Sequence, residues 1–499
     1  MTQVSPPAAA SGMEGHPQRW PALFTLLTAA FMNLIDVTIV NVALPTLQEN
    51  LHAGPSEIEW VVAVYVLGFA LALLPFGRLG DMAGRKRMFM LGVLLFTLFS
   101  ALCGLAPNIE TLIVARTFQG LAGGMMTPQV LAIAQVIFPP RERAQAFSLF
   151  GLAAGLASVV GPLLGGTLIG ADFMGLDWRP IFLVNIPVGL AVLVIGQKII
   201  PDLPGHPDVG TDFKGVLIGA LGVFLLIFPM VEGHNFGWPA WLFALMAAAF
   251  AFFALFFRHT RRQQAARRPQ LIPYSLLANG NFMLGAGIAT LFFSGVAGFF
   301  MVFAIFLQTG FGLTPLQSGL TTIPFPIGVL TASLLSGRLK GRYPRQRLVG
   351  GAVLMAAGMG LLDIVISSMG DTATRSLMAA PLFIGGLGLG MGIASLFQTI
   401  LAGVPHKDAG AGSGTLQSFQ QMGNALGIAV CGQIFFATLG VQKASGADMH
   451  PAFIASMKGA LIYEIAAFLA VAVLVNFLKA PPTGHDEPSR AQPPTPVEA

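Results

Sequence analysis

Stretches of about twenty mostly apolar residues follow one another along nearly the whole chain, separated by short polar turns. That pattern decides the fold class, because about 20 consecutive apolar residues are what a helix needs to cross a bilayer. A soluble domain carries about 25% charged residues, whereas this 499-residue chain carries 10%, with 55% hydrophobic. The runs are continuous rather than alternating, which argues against a transmembrane β-barrel. The sequence therefore predicts an all-α polytopic membrane protein without room for a second large domain.

Breaking the runs at Pro, Gly and charge gives 14 transmembrane helices. They lie near residues 22–42, 57–77, 88–106, 110–136, 146–170, 179–200, 214–232, 238–257, 281–307, 316–336, 347–367, 376–402, 412–440 and 456–478. Lys and Arg collect on the cytoplasmic side of membrane proteins. Of the 27 here, all but Arg116, Arg179, Arg375, Lys443 and Lys458 fall in the tails and in alternate loops. An even number of spans with both termini cytoplasmic, in a plasma (inner) membrane, is the expectation. The net charge of +5 then reports topology, and no nucleic-acid partner is expected. Trp20, Trp60, Trp178, Trp238 and Trp241 stand near span starts, where an indole anchors at the interface. The first run is too long, and lacks the cleavage pattern, for a removable signal peptide.

A repeat lies beneath this layout. Gly77-Arg78-Leu79, followed by Arg85 and Arg87, recurs 260 residues later as Gly337-Arg338-Leu339, followed by Arg345 and Arg347. Spans one to six thus correspond to nine to fourteen. The expected organisation is a cytoplasmic tail (1–21), a six-helix half (22–200) and an inserted pair, spans seven and eight, with flanking loops (201–280). A second six-helix half (281–479) and a disordered, Pro-rich cytoplasmic tail (480–499) complete it. Repeated six-span halves are a transporter architecture, with the substrate site between them.

Four motifs carry a resemblance over nearly the whole chain. Span one reads Leu34-Ile35-Asp36-Val37-Thr38-Ile39-Val40-Asn41-Val42-Ala43-Leu44-Pro45, and the next loop reads Gly77-Arg78-Leu79-Gly80-Asp81-Met82-Ala83-Gly84-Arg85-Lys86-Arg87. Span four holds Arg116-Thr117-Phe118-Gln119-Gly120, and span five holds Gly155 and Gly161-Pro162-Leu163-Leu164-Gly165-Gly166. Trp178 to Pro187 opens span six, with Pro180 where an aromatic is usual. The chain resembles the major facilitator superfamily, specifically the fourteen-span drug:proton antiporters of the EmrB/QacA type. The resemblance implies the major facilitator fold, with two six-helix halves plus two inserted helices. It also implies a gating loop (Gly77, Asp81, Gly84, Arg85, Arg143) and an antiporter motif (Gly155, Gly161, Pro162, Gly165, Gly166). If the host has two membranes, it implies a periplasmic adaptor protein as partner.

Asp36 and Arg116 are the most informative residues. An acid inside a span is costly unless neutral, paired or wetted, and is functional by default. Each lies six residues from the outer end of its predicted span, about 9 Å deep at ~1.5 Å per residue. Asp36 is the candidate for taking and releasing a coupling proton, with Arg116 competing for its carboxylate; a static buried ion pair is the plainer reading. Asp363, Glu232 and Glu464 are weaker intramembrane acids. Asp81 is expected to meet Arg141 or Arg143 across the inner surface, and the span-five glycines either bend that helix or simply pack it.

Gln417, Gln420, Gln421 and Asn424, spaced i, i+3, i+4 and i+7, share one helical face. Four amides are costly against lipid, so the cavity or a neighbouring helix should receive them. Asn33 and Gln119 lie one turn from Asp36 and Arg116 and join them as candidate substrate contacts. No phosphate-cradling or zinc-binding pattern is present, the eight histidines fall outside the predicted spans, and Cys103 and Cys431 sit in apolar runs. No cofactor, metal or catalytic residue is expected. The expected function is proton-coupled export of amphipathic small molecules by alternating access. A dedicated exporter of one metabolite or self-made antibiotic is the alternative; a membrane sensor or enzyme would need a catalytic cluster that the sequence lacks.

Overall fold

A computed structural model describes residues 16–172, 175–205, 210–338, 343–370, 374–404 and 409–478. Its long helices are α1 (Arg19–Asn50), α2 (Pro55–Ala83), α3 (Arg85–Gly104), α4 (Ile109–Ile137) and α5 (Pro140–Gly170). They continue as α6 (Pro180–Ile199), α7 (Phe213–Phe236), α8 (Ala240–Ala265), α9 (Gly280–Gly310) and α10 (Pro315–Leu335). The series ends with α11 (Pro344–Ser367), α12 (Arg375–Leu401), α13 (Ala409–Ala444) and α14 (Met449–Phe477). Thirteen described helices are long and apolar enough to span a membrane, and the Val159–Gly170 part of α5 is a shorter apolar stretch. The protein is a multi-pass, all-helical membrane protein.

Local chemistry starts these helices where the sequence says it should. Proline opens α2, α5, α6, α10 and α11; at the first helical position its missing N–H costs nothing. Asn108 caps α4 by accepting from Thr111 N at 2.9 Å, and Thr314 with Gln317 forms a capping box on α10. Pro180 is the first residue of α6, as expected from its tolerance in a first turn.

The packing repeats with the chain. Helix α1 packs on α5, α2 and α3 pack on α4, and α3 packs on α6; correspondingly, α9 packs on α13, α10 and α11 on α12, and α11 on α14. The two sets meet along α2–α13 and α5–α10. The pair α7–α8 stands aside, touching the rest mainly where α7 meets α2 and α13. Ser56 Oγ donates to Val231 O there at 3.3 Å, and Trp60 Nε1 donates to Glu232 Oε1 at 2.6 Å.

Several details depart from the sequence reading. Helix α1 runs to Asn50, well past the expected end near 42, so it projects beyond its apolar segment. Trp60 and Trp178 are buried rather than interfacial, because Glu232 takes one indole and Phe182 packs edge-on against the other. His259 lies inside α8, where its Nε2 meets Asp212 Oδ1 at 2.9 Å. Helix α9 ends in a π-helical turn, Phe306–Gly310, from which Gln308 donates to Val42 O at 2.9 Å.

Candidate functional site

The densest polar cluster among the described residues surrounds Asp36. Its position follows from four helices, with α1, α3 and α6 each giving one polar side chain and α4 giving two. Asp36 on α1 is 0% exposed and Arg116 on α4 is 1% exposed. Arg116 Nη1 donates to Asp36 Oδ2 at 2.5 Å. Gln119 Nε2 donates to Asp36 Oδ1 at 2.9 Å, and Asn185 Nδ2 donates to the same oxygen at 3.1 Å. Asn185 is held in turn by Ser100 Oγ at 3.0 Å, whose own proton goes to Phe182 O.

Arg116 is equally occupied. Its Nη1 also donates to Gln119 Oε1 at 2.9 Å, its Nε to Val61 O at 3.3 Å, and its guanidinium lies 4.0 Å from the centre of the Tyr65 ring. A second ring, Phe182, is 5.6 Å away. Cation–π contacts of this kind gain strength when desolvated. Three donors and no acceptor face the Asp36 carboxylate. The arrangement is therefore a buried ion pair with a complete cage, and it can switch only if the cage rearranges.

The structure brings Asp36 and Arg116 together, but not by the equal-depth argument, because α1 runs on to Asn50 while α4 begins at Ile109. Gln119 joins the pair as a direct ligand of both members. Asn33 lies one shell out, 4% exposed, donating to Tyr65 OH at 2.7 Å. In this conformation both amides are committed to the cage. Asn185, Ser100 and Tyr65 were missed as site residues. The available signal was a polar residue within an apolar run facing the same helices, which Asn185 supplies inside the span-six motif.

Helix α5 is clamped between α1 and α10. A Cβ on Gly161 would overlap Thr38, and one on Gly165 would press on Ile39. On the other side Gly166 packs on the Leu316 backbone, and the Pro162 carbonyl lies against Gly319. Thr38 also donates to Ala157 O at 3.3 Å. The motif thus links α10 to the stretch of α1 immediately after Asp36. Gly155 and Arg143, like Arg141, lie outside the residues whose side chains are described.

In the loop between α2 and α3, Gly84 adopts φ 101°, a left-handed conformation open to glycine, and turns the chain between the two helices. Asp81 pairs with Arg85 across this turn at 2.9 Å, and Arg85 Nη1 reaches Ala132 O at 3.1 Å. Its described partner is therefore its own neighbour rather than α5. Gly80 leaves room for the Gln129 side chain, and Gly77 faces Pro128. At the same end Arg19 and Glu142 form an α1–α5 ion pair at 2.7 Å, which holds the Glu142 carboxyl below the usual carboxylate range.

The amides of α13 stand apart from the cage. Gly423 and Gly427 pack on α9 at Thr290 and Ser294, while Gly414 and Gly432 face α2. Gln417, Gln420, Gln421 and Asn424 occupy the arc between those faces, half-buried, with Asn424 Nδ2 donating to Gln421 Oε1 at 2.7 Å.

Residues 26–428 match the family model described as the Major Facilitator Superfamily. The chain belongs to that superfamily. Its relatives include a protein named probable actinorhodin transporter from Streptomyces coelicolor, 38% identical over 89% of this chain and 77% of the relative. Another is the tetracenomycin C resistance and export protein of Streptomyces glaucescens, 32% identical over 86% of this chain and 78% of the relative. Among solved structures, a bacterial homolog to the human lysosomal transporter Spinster, in an inward-facing and occupied conformation, aligns with a TM-score of 0.62 at 17% identity. That alignment covers 93% of this chain and 96% of the other, and shows the fold. As a major facilitator protein, the chain is a transporter and not an enzyme.

Proposed function

We propose that this major facilitator protein exports amphipathic small molecules in exchange for protons, by alternating access of two six-helix halves. The observation that carries the reading is the caged Asp36–Arg116 pair in the first and fourth spans. A charge pair buried that deeply has to be retained against a desolvation cost, and intramembrane ionisable groups mark ion and substrate paths. The names of the relatives, antibiotic exporters among them, favour export over uptake.

The mechanism follows from which contacts must break. The halves touch at the end opposite the basic loops through Gln308 with Val42, Gly166 with Leu316 and Pro162 with Gly319. With the basic loops cytoplasmic in the plasma (inner) membrane, both termini inside, this arrangement closes the outer side. Moving α10 away releases α5, and α5 releases the Thr38–Ile39 stretch of α1. That displacement shifts Asp36 out of its cage, where it exchanges Arg116 for a proton; return of the cage expels the proton. Gly77, Asp81, Gly84, Arg85 and Arg143 serve the inner gate, and the α13 amides Gln417, Gln420, Gln421 and Asn424 contact substrate. In a host with two membranes a periplasmic adaptor protein carries the cargo onward.

The test is proton-driven export in inverted vesicles, comparing the intact chain with D36N. Loss of drug-dependent proton release in the variant is expected, and unchanged proton-driven export sinks the coupling role. A dedicated exporter of one antibiotic is the second reading, favoured by relatives named for a single compound. A susceptibility panel in an efflux-deficient strain separates the two by whether resistance is broad or narrow.

A further inference from the structure

The Asp36 cluster leaves two buried carboxyls unused. Glu59 on α2 is 2% exposed and Glu464 on α14 is 0% exposed, and in both the Oε2 atom has no hydrogen-bond partner. They approach one turn of α13. Cys431 Sγ lies 3.8 Å from Glu464 Oε1, and the Glu59 carboxyl packs on Gly432, where a Cβ would overlap it. Glu59 is also two residues from Val61, whose carbonyl accepts from Arg116.

The charged groups on the surrounding helices are engaged elsewhere or stand off. Glu232 on α7 takes the Trp60 indole, and Arg116 on α4 takes Asp36. Arg347 and Asp363 on α11, Lys443 on α13 and Lys458 on α14 form no ion pair with either carboxyl among the described residues. Tyr463, next to Glu464, spends its hydroxyl on Ser294. A buried carboxylate with no counter-charge and a bare oxygen is far more costly than the neutral carboxylic acid in the same place.

We propose that Glu59 and Glu464 form a second pair of proton-binding carboxyls, separate from the Asp36 cage, one on each side of the Cys431–Gly432 turn of α13. Its use in transport rests on the proton-coupled reading above; its existence does not. With a proton on Glu59, α2 seats on the bare backbone at Gly432. Without it, an undonated carboxylate faces α13 and drives the two helices apart, so protonation on this turn favours the closed seam.

Infrared difference spectra of the full chain in lipid, acid minus alkaline, read protonated carboxyls directly through their C=O stretch. A carboxylic C=O band is expected to vanish in E59Q and another in E464Q, with both retained in D36N. If either glutamine variant fails to fold, E59D and E464D replace them, and the corresponding band must shift. Bands unchanged in the Glu59 and Glu464 variants overturn the site, and loss of a band in only one variant overturns the two-residue assignment. Export intact in D36N with both bands present refutes the Asp36 coupling role and leaves this site standing.

Discussion

If the Asp36–Arg116 pair is one energetic unit, removing both charges should hurt less than removing one. In R116M the Asp36 carboxylate keeps Gln119 and Asn185 as donors but loses its counter-charge in a site that water does not reach. In D36N the guanidinium keeps Gln119, Val61 O and the Tyr65 ring, and is an uncompensated cation. Breaking a buried pair from one side costs about 3–5 kcal/mol. Every 1.4 kcal/mol is tenfold, so each single variant should speed unfolding by about a hundredfold or more if the pair is already broken in the transition state. The double variant R116M/D36N removes both desolvation problems and substitutes an apolar chain of similar length. A coupling energy of about 2–3 kcal/mol, at the upper end for contacting residues, is expected from the cycle. A thiol-reactive fluorogenic dye suits the assay, because Cys103 is buried against Gln119 at 3.4 Å and becomes accessible only when the cluster opens. Unfolding in detergent is compared as rates, since membrane proteins of this size unfold irreversibly. Additivity of the two single effects to within about 0.5 kcal/mol would refute the unit.

Three further expectations can be checked separately. N185A removes a donor to Asp36 and the donor to Ser100 Oγ, which keeps its bond to Phe182 O; a loss of about 1–3 kcal/mol is expected, with faster dye labelling of Cys103 as the readout. G161L forces a side chain into Thr38 and should separate α1 from α5, costing about 1–3 kcal/mol by overpacking and reducing export in vesicles more than G170L, whose site is open. The Arg19–Glu142 contact stabilises the α1–α5 end above the ordinary glutamate range, about pH 4.3, and is lost as pH falls through the lowered Glu142 value. Deuterium uptake at the start of α5 should rise on acidification in the intact chain, and E142Q should abolish that dependence.

The number of spans was legible because bilayer thickness imposes a length. Asp36 and Arg116 stood out for the same reason, as charges where charge is expensive. What stayed hidden depends on rotation about helix axes. Nothing in the sequence says that Asn185 turns inward to Asp36 or that Glu59 faces Gly432, because small shifts of helical phase move a side chain from cavity to neighbour. The Trp60 anchor was misjudged likewise: its acceptor, Glu232, lies on the inserted helix α7, and no local pattern predicts where an insertion docks. Asn33 and Gln119 were recognised as polar neighbours of the pair, but their hydrogen-bond allegiance emerges only with the packed helices.

The docking of α7 also makes the two seams between the six-helix sets unlike. Of the two seams between the six-helix sets, α2–α13 is flanked by α7 and, outside it, α8. The α5–α10 seam has no such flank among the described residues. A hydrophobic molecule dissolved in the bilayer therefore meets two unlike sides, one shuttered and one bare. The inserted pair thus breaks the symmetry of the two six-helix sets, covering the α2–α13 edge and leaving the α5–α10 edge uncovered among the described residues.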